Sequence, residues 1–254
     1  EQASDPVRAM YLRGRIIAHA LRAAGIDVNC APLADIATAD THAVLRNRCY
    51  GSTLEQVVAH ARAMAQGLRD GGVLPVLKHM PGHGRATHDS HLNLPVVDAP
   101  ASALRRQDFA AFAALSDLPL AMTAHIVFTA FDPARPATTS PAMIRLIRTE
   151  IGFDGALMTD DLSMQALAGS LAERARAALD AGCDLVLHCS GVLDEMAQVA
   201  AAGGYDRPPG GTDARSITGL GRGRIRARQG GGGEEDGDDA PAAAHAHVLH
   251  HWLK

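Results

Sequence analysis

Five times along this chain a short apolar run stops at a charged or imidazole side chain, and stretches with helical spacing fill the intervals. The runs are "DVNCAPLADI" (27–36), "VLPVLKH" (73–79), "LPLAMTAHIVF" (118–128), "GALMTDD" (155–161) and "CDLVLHC" (183–189). Apolar residues recur at helical positions over 5–25, 53–72, 102–115, 140–152 and 171–182. Glycine at 25 and the pair at 71 and 72 mark helix stops, and Ser140-Pro141 marks a start. Strands that are apolar almost throughout, separated by helices, predict a parallel sheet covered by helices. The polar strand ends Asp35, Lys78, His79, His125, Asp160, Asp161 and His188 suit the C-terminal face of a (β/α) barrel, where active sites lie. A doubly wound open sheet is the competing architecture. It would carry a glycine fingerprint at its first strand–helix turn, and this chain has none. The expected fold class is α/β, a TIM-like (β/α) barrel domain over residues 1–203.

Composition narrows the partners. The 254 residues are 47% hydrophobic and only 4% aromatic, so the core must be aliphatic and large enough for one domain. A net charge of −4 without a basic stripe argues against nucleic acid. Four cysteines are too few for a disulfide framework and are expected to be reduced, with Cys183 and Cys189 in or beside a strand. No apolar stretch reaches bilayer length and no signal peptide opens the chain; a cytoplasmic monomer without membrane association is expected. The chain begins without Met, so a fragment is expected, with the barrel incomplete at its N-terminus. After Gly203 the sequence turns rich in Gly, Arg, Asp and Pro, and residues 204–254 read as a low-complexity, disordered tail. The histidines at 245, 247, 250 and 251 fall in it and carry no expected role.

Two segments carry candidate chemistry. "KHMPGHGRATHDSH" (78–91) holds four histidines with Lys78, Arg85 and Asp89 around two glycines and a proline. A zinc site at His79, His83, His88 and His91 is conceivable, but neither HExxH nor CxxC spacing accompanies them, and no metal is expected. In "DSH", residues two apart face one way in an extended chain. Asp89 can then accept from the His91 imidazole and fix its tautomer, the orienting half of a triad. In "GALMTDDLSM" (155–164), adjacent carboxylates directly follow an apolar run, which is costly unless they are used or paired. Asp160 can face the barrel axis while Asp161 turns aside to cap the following helix; a double N-cap without function is the bland alternative. A carboxylate on one strand end and an oriented histidine on another supply the nucleophile and proton donor of a retaining glycosidase, since a histidine titrates near neutral pH.

The order "KHMPGHG…DSH", "AMTAHIVFTAFDPARPATTSPAMI", "GFDGALMTDDLSM" and "AGCDLVLHC", with "APLADI" and "RNRCYGS", closely resembles the bacterial β-N-acetylglucosaminidases (β-hexosaminidases) of glycoside hydrolase family 3, cytoplasmic enzymes of peptidoglycan recycling. The resemblance runs from about residue 8 to about 203. It implies a TIM-like barrel and a two-step retaining hydrolysis that releases non-reducing terminal β-linked N-acetylglucosamine from a small glycoside or muropeptide, without metal or organic cofactor. It implies Asp160 as nucleophile, His91 as acid/base with Asp89 as its partner, and Arg48, Lys78 and His79 as sugar-binding residues. The glycines of the histidine loop are expected to let it move and carry His91 to the scissile oxygen. Family members begin with a further strand resembling "DQEGGRV" that binds sugar, and nothing before residue 27 matches it. The second expectation is therefore a truncated, catalytically silent sugar-binding relative.

Overall fold

A computed structural model describes residues 5–88, 93–203 and 247–250. The chain opens with α1 (Pro6–Ala23), whose N-cap Asp5 accepts from the Arg8 backbone N–H, and continues to β1 (Val28–Asn29) and α2 (Ala43–Arg46). Then come α3 (Leu54–Asp70), capped by Thr53, and β2 (Leu74–Met80). β3 (Val96–Val97) precedes a broken helix made of α4 (Ala101–Leu104), a π-turn (Arg105–Phe109) and α5 (Ala110–Ala113). β4 (Leu120–Thr123), β5 (Val127–Phe128), a 3-10 turn (Ala137–Thr139) and α6 (Pro141–Thr149) follow. The remainder is β6 (Ala156–Asp161), α7 (Leu171–Ala181), β7 (Leu185–His188), α8 (Leu193–Ala202) and β8 (His247–His250).

The helix punctuation acts as the sequence suggests. Ser140 accepts from the Met143 N–H with Pro141 in the first turn. The structure adds a capping box of Ser170 and Glu173 at the start of α7. The helix expected over 102–115 is interrupted by the π-turn; its burial of Asp108 and Phe109 on one face is the outcome, and such bulges recur at functional sites.

One sheet runs β1-β2-β4-β6-β7-β8, with every neighbouring pair parallel. The order follows the chain without reversal, so the sheet winds one way. A doubly wound sheet reverses at a switch point and is excluded. The result is a curled half-barrel of a TIM-like domain. The run expected as one strand over 118–128 is two: β4 stays in the main sheet, while β5 leaves it to pair with β3. Within the expected tail, β8 lies parallel to β7; residues 204–246 and 251–254 lie outside the described residues.

Side-chain alternation divides the sheet into two faces. Leu77, Ala121, Leu157 and Val186 point outward into the large core shared with the helices. Val76, Leu120, Met122, Met158, Leu185 and Leu187 point inward and form the layer that fills the barrel side. The polar strand ends sit on top of this inner layer. All four cysteines are free thiols, and among the described residues no helix is long and apolar enough to cross a membrane.

Candidate functional site

The β2–β4 register shifts between Leu77 and Met80, and the β6–β7 register shifts between Met158 and Asp161. Both irregularities fall where polar residues end the strands. A bulge re-aims side chains, and here Lys78 and His79, although adjacent, both line one cleft. Asp160, Asp161, Arg48, His83 and His88 share that cleft, with Cys30, Met122, Leu187 and Cys189 among its apolar walls. Its volume is about 240 Å³, below the ~300 Å³ where drug-sized pockets begin and so scaled to a small ligand.

Asp35 organises the site from beneath. Its fully buried carboxylate accepts from the His83 backbone N–H at 2.7 Å, from the His79 ring Nδ1 at 2.8 Å and from the His79 backbone N–H at 3.3 Å. Burial pushes the Asp35 carboxyl upward, but His79 and His83 outweigh it and hold the group below the ordinary range. The other ring nitrogen of His79, Nε2, stands 4.0 Å from Asp160 Oδ2. His83 packs edge-on against His79 at 5.3 Å between centroids, and burial pushes its pKa down to about 4. It is a neutral ring at neutral pH.

The paired carboxylates of β6 have separate work. Asp161 accepts from the Ser163 N–H and hydroxyl at 3.0 and 2.5 Å and from the Cys189 N–H at 3.1 Å. It pins the turn after β6 to the end of β7, and it caps this turn instead of the following helix, which starts only at Leu171. Among the described residues Asp160 accepts one bond, from the Asp161 N–H at 2.9 Å, and keeps its other oxygen toward the cleft. Its side chain is 15% exposed. Burial pushes the Asp160 carboxyl up, yet the neighbouring His79, the Asp161 N–H and Lys78 together hold it below the usual range, so it is an anion at neutral pH.

His125 supports this corner. Its Nε2–H donates to the Asp161 carbonyl at 3.0 Å, and its Nδ1 lies 2.7 Å from the Thr138 hydroxyl, which in turn meets Thr123 at 2.9 Å. Burial pushes the His125 pKa down, which matches a neutral ring with Nδ1 as acceptor.

The histidine loop is fastened over 81–88. Arg85 donates to Asp108 at 2.7 Å and to Gln107 at 2.8 Å on the π-turn, while Thr41 donates to the Gly84 carbonyl at 2.5 Å. A Cβ on Gly84 would lie 1.9 Å from the Ile36 carbonyl oxygen, and Gly82 has φ +144° beside Asp108. Close packing thus requires glycine at 84, and the positive φ favours it at 82.

Of the expected site residues, the structure brings Asp160, Lys78, His79 and Arg48 to one cleft, with Arg48 at its exposed rim. Asp89 and His91 lie outside the described residues; the chain leading to them passes the cleft at His88. His188, expected in the polar ring, points to the helix side and bonds Glu195 at 2.9 Å; its neighbours Leu187 and Cys189 line the cleft instead. Of the four histidines of the zinc alternative, His79, His83 and His88 line the cleft and His91 lies outside the described residues; among the described residues no group of three or more His, Cys, Asp or Glu stands close enough to hold an ion. Asp35, expected only as a polar strand end, and His83, expected only as a zinc candidate, belong to the site in another way. The signal for Asp35 was its place at a strand end in "APLADI", but its partners are 44 and 48 positions away.

A β-hexosaminidase of Alkalilimnicola ehrlichii is 43% identical over 194 residues, which is 73% of this chain and 55% of that protein. A β-hexosaminidase of Methylococcus capsulatus is 39% identical over 217 residues, covering 84% of this chain and 64% of that protein. The chain thus spans somewhat over half the length of these relatives. Among solved structures, a glycoside hydrolase family 3 β-N-acetylglucosaminidase from a Paenibacillus species superposes with a TM-score of 0.75 at 33% identity, covering 91% of this chain and 46% of that one. NagZ from Neisseria gonorrhoeae, in complex with N-trifluoroacetyl-D-glucosamine, superposes with a TM-score of 0.71 at 33% identity, covering 86% and 61%. Residues 2–207 match the glycosyl hydrolase family 3 N-terminal domain, and on that match the chain belongs to glycosyl hydrolase family 3.

Proposed function

We propose that this chain is a β-N-acetylhexosaminidase domain working by retaining hydrolysis, with Asp160 as the nucleophile. One observation carries the proposal. Of two adjacent carboxylates, Asp161 is held by three hydrogen bonds in the turn, while Asp160 stays ionised with an oxygen toward a sugar-sized cleft. That is the state a nucleophile needs. The anion attacks the anomeric carbon, the departing oxygen takes a proton, and water then cleaves the glycosyl ester. His91, oriented by Asp89, is proposed as the group that gives and later takes that proton. Lys78, His79 and Arg48 are proposed to hold the sugar hydroxyls. The space between His79 Nε2 and Asp160 Oδ2, 4.0 Å apart, admits a sugar hydroxyl at about 2.8 Å from either atom, which can donate its one proton to one of the two.

The names of the solved structures it resembles support N-acetylglucosamine as the sugar. A muropeptide-derived substrate, peptidoglycan recycling and a cytoplasmic setting are part of the same proposal. Turnover of p-nitrophenyl N-acetyl-β-D-glucosaminide tests it: the chain should release nitrophenol, Asp160→Asn should not, and His91→Ala should do so slowly. Full turnover by both variants removes the assignment. The alternative is a silent sugar-binding relative. N-acetylglucosamine binding without any turnover would select it.

A further inference from the structure

We propose that Asp35 is a positioning residue: its carboxylate keeps a proton on His79 Nδ1 and thereby decides what His79 Nε2 offers to the substrate beside Asp160. A carboxylate only accepts hydrogen bonds, so the 2.8 Å contact from His79 Nδ1 to Asp35 Oδ2 requires a proton on Nδ1. In the neutral ring Nε2 is then a bare acceptor, aimed into the cleft 4.0 Å from Asp160 Oδ2. A sugar hydroxyl placed between them accepts nothing from His79 and instead donates to it. The other tautomer would present an N–H there and bind Asp160 or the hydroxyl in the opposite sense.

Both oxygens of Asp35 are engaged, which makes the arrangement sensitive to one atom. Oδ1 takes the His83 backbone N–H at 2.7 Å while Oδ2 takes the His79 ring. An asparagine has one acceptor oxygen and one donor group. The His83 backbone N–H cannot change its chemistry, so it claims the oxygen, and the amide NH₂ faces His79 Nδ1. Facing a donor, the ring must move its proton to Nε2. An Asp-to-Asn change of this kind is what disables a catalytic histidine through the wrong tautomer in serine proteases. Asp35 does not line the cleft and acts only through His79.

The kinetic arm of the test rests on the glycosidase reading; the spectroscopic arm does not. The side-chain ¹⁵N shifts of His79, identified by difference from a His79→Gln spectrum and recorded where the ring is neutral, should show Nδ1 protonated in the full chain and Nε2 protonated in Asp35→Asn. The same variant should lose about 10- to 100-fold in kcat/KM, the scale of one charge-assisted hydrogen bond. In a His79→Ala background, Asp35→Asn should cost less than a further twofold, since its effect passes through the ring. A neutral His79 protonated on Nε2 in the unaltered chain overturns the proposal, even if Asp35→Asn fails to fold. So does an Asp35→Asn enzyme within twofold of the parent. If the parent turns over no glycoside, the hydrolase reading fails while the spectrum still decides the role of Asp35.

Discussion

Changing the two neighbouring carboxylates of β6 separately should divide chemistry from architecture. Asp161→Ala removes the acceptor for three donors, the Ser163 N–H and hydroxyl and the Cys189 N–H. At about 1 kcal/mol for each bond the loss is about 3 kcal/mol. For a domain of this size that lowers the midpoint of thermal unfolding by roughly 6–12 °C. Asp160→Asn keeps the oxygen that takes the Asp161 N–H at 2.9 Å and removes a mostly buried charge, so its stability should stay within about 1 kcal/mol of the parent. Its turnover of the nitrophenyl glucosaminide should fall by about 10⁴- to 10⁶-fold, as when a hydrolase loses its nucleophile. Differential scanning calorimetry and steady-state kinetics on both variants make the comparison. Equal thermal midpoints for the two variants would refute the division of labour. So would an Asp160→Asn enzyme that keeps its rate.

Acid should unfold the domain from pH 6.5 downward. His83 titrates at about 4 in the fold against 6.5 in the unfolded chain, so the unfolded state binds more protons between those values and stability falls as pH drops through them. The full effect is about 3 kcal/mol, and His125, also lowered, adds the same sign. Asp35 and Asp160, both depressed, lose their contributions only below pH 3.8. Urea midpoints should therefore fall steadily from pH 7 to 4.5 and fall less in His83→Gln; a flat profile contradicts this. Gly84→Ala puts a methyl 1.9 Å from the Ile36 carbonyl oxygen, and since backbone must yield, it should cost about 1–3 kcal/mol and weaken sugar binding, read by chemical unfolding and calorimetric titration. Arg85→Ala leaves the buried Asp108 carboxylate without its 2.7 Å partner. It should destabilise by about 3 kcal/mol, and adding Asp108→Ala should recover part of that loss in a double-mutant cycle.

Periodicity carried much of the architecture. Apolar runs ending at Lys78-His79 and at Asp160 marked strand ends because a parallel strand is buried on both faces until it reaches the barrel mouth. Ser140 and the glycines after α1 and α3 marked helix ends through local chemistry. What local pattern could not carry was register. His188 and Leu187 are one position apart on β7, and only pairing with β6, shifted between Met158 and Asp161, decides which of them meets the cleft. The departure of β5 to join β3 is likewise a long-range event written in no short window. The same holds for the site. Asp160, Lys78 and His79 announced themselves as polar side chains at the ends of apolar runs. Asp35 gave the same signal but revealed its use only once folding brought "KHMPGHG" over it. The close contact that requires glycine at 84 is likewise invisible in sequence, because a missing side chain looks alike whether it serves freedom or packing until its neighbours are known.

Trapping the reaction part-way tests the role of Asp160 most directly. The chain is treated with a fluorinated N-acetylglucosaminide carrying an activated leaving group, so that the glycosyl ester forms faster than water removes it. Proteolysis and mass spectrometry then locate the sugar. One glycosyl group per chain, on the peptide "GALMTDDLSM" at Asp160, is the expected result. A sugar found on any other side chain, or brisk release of the leaving group from a chain that never carries one, contradicts it.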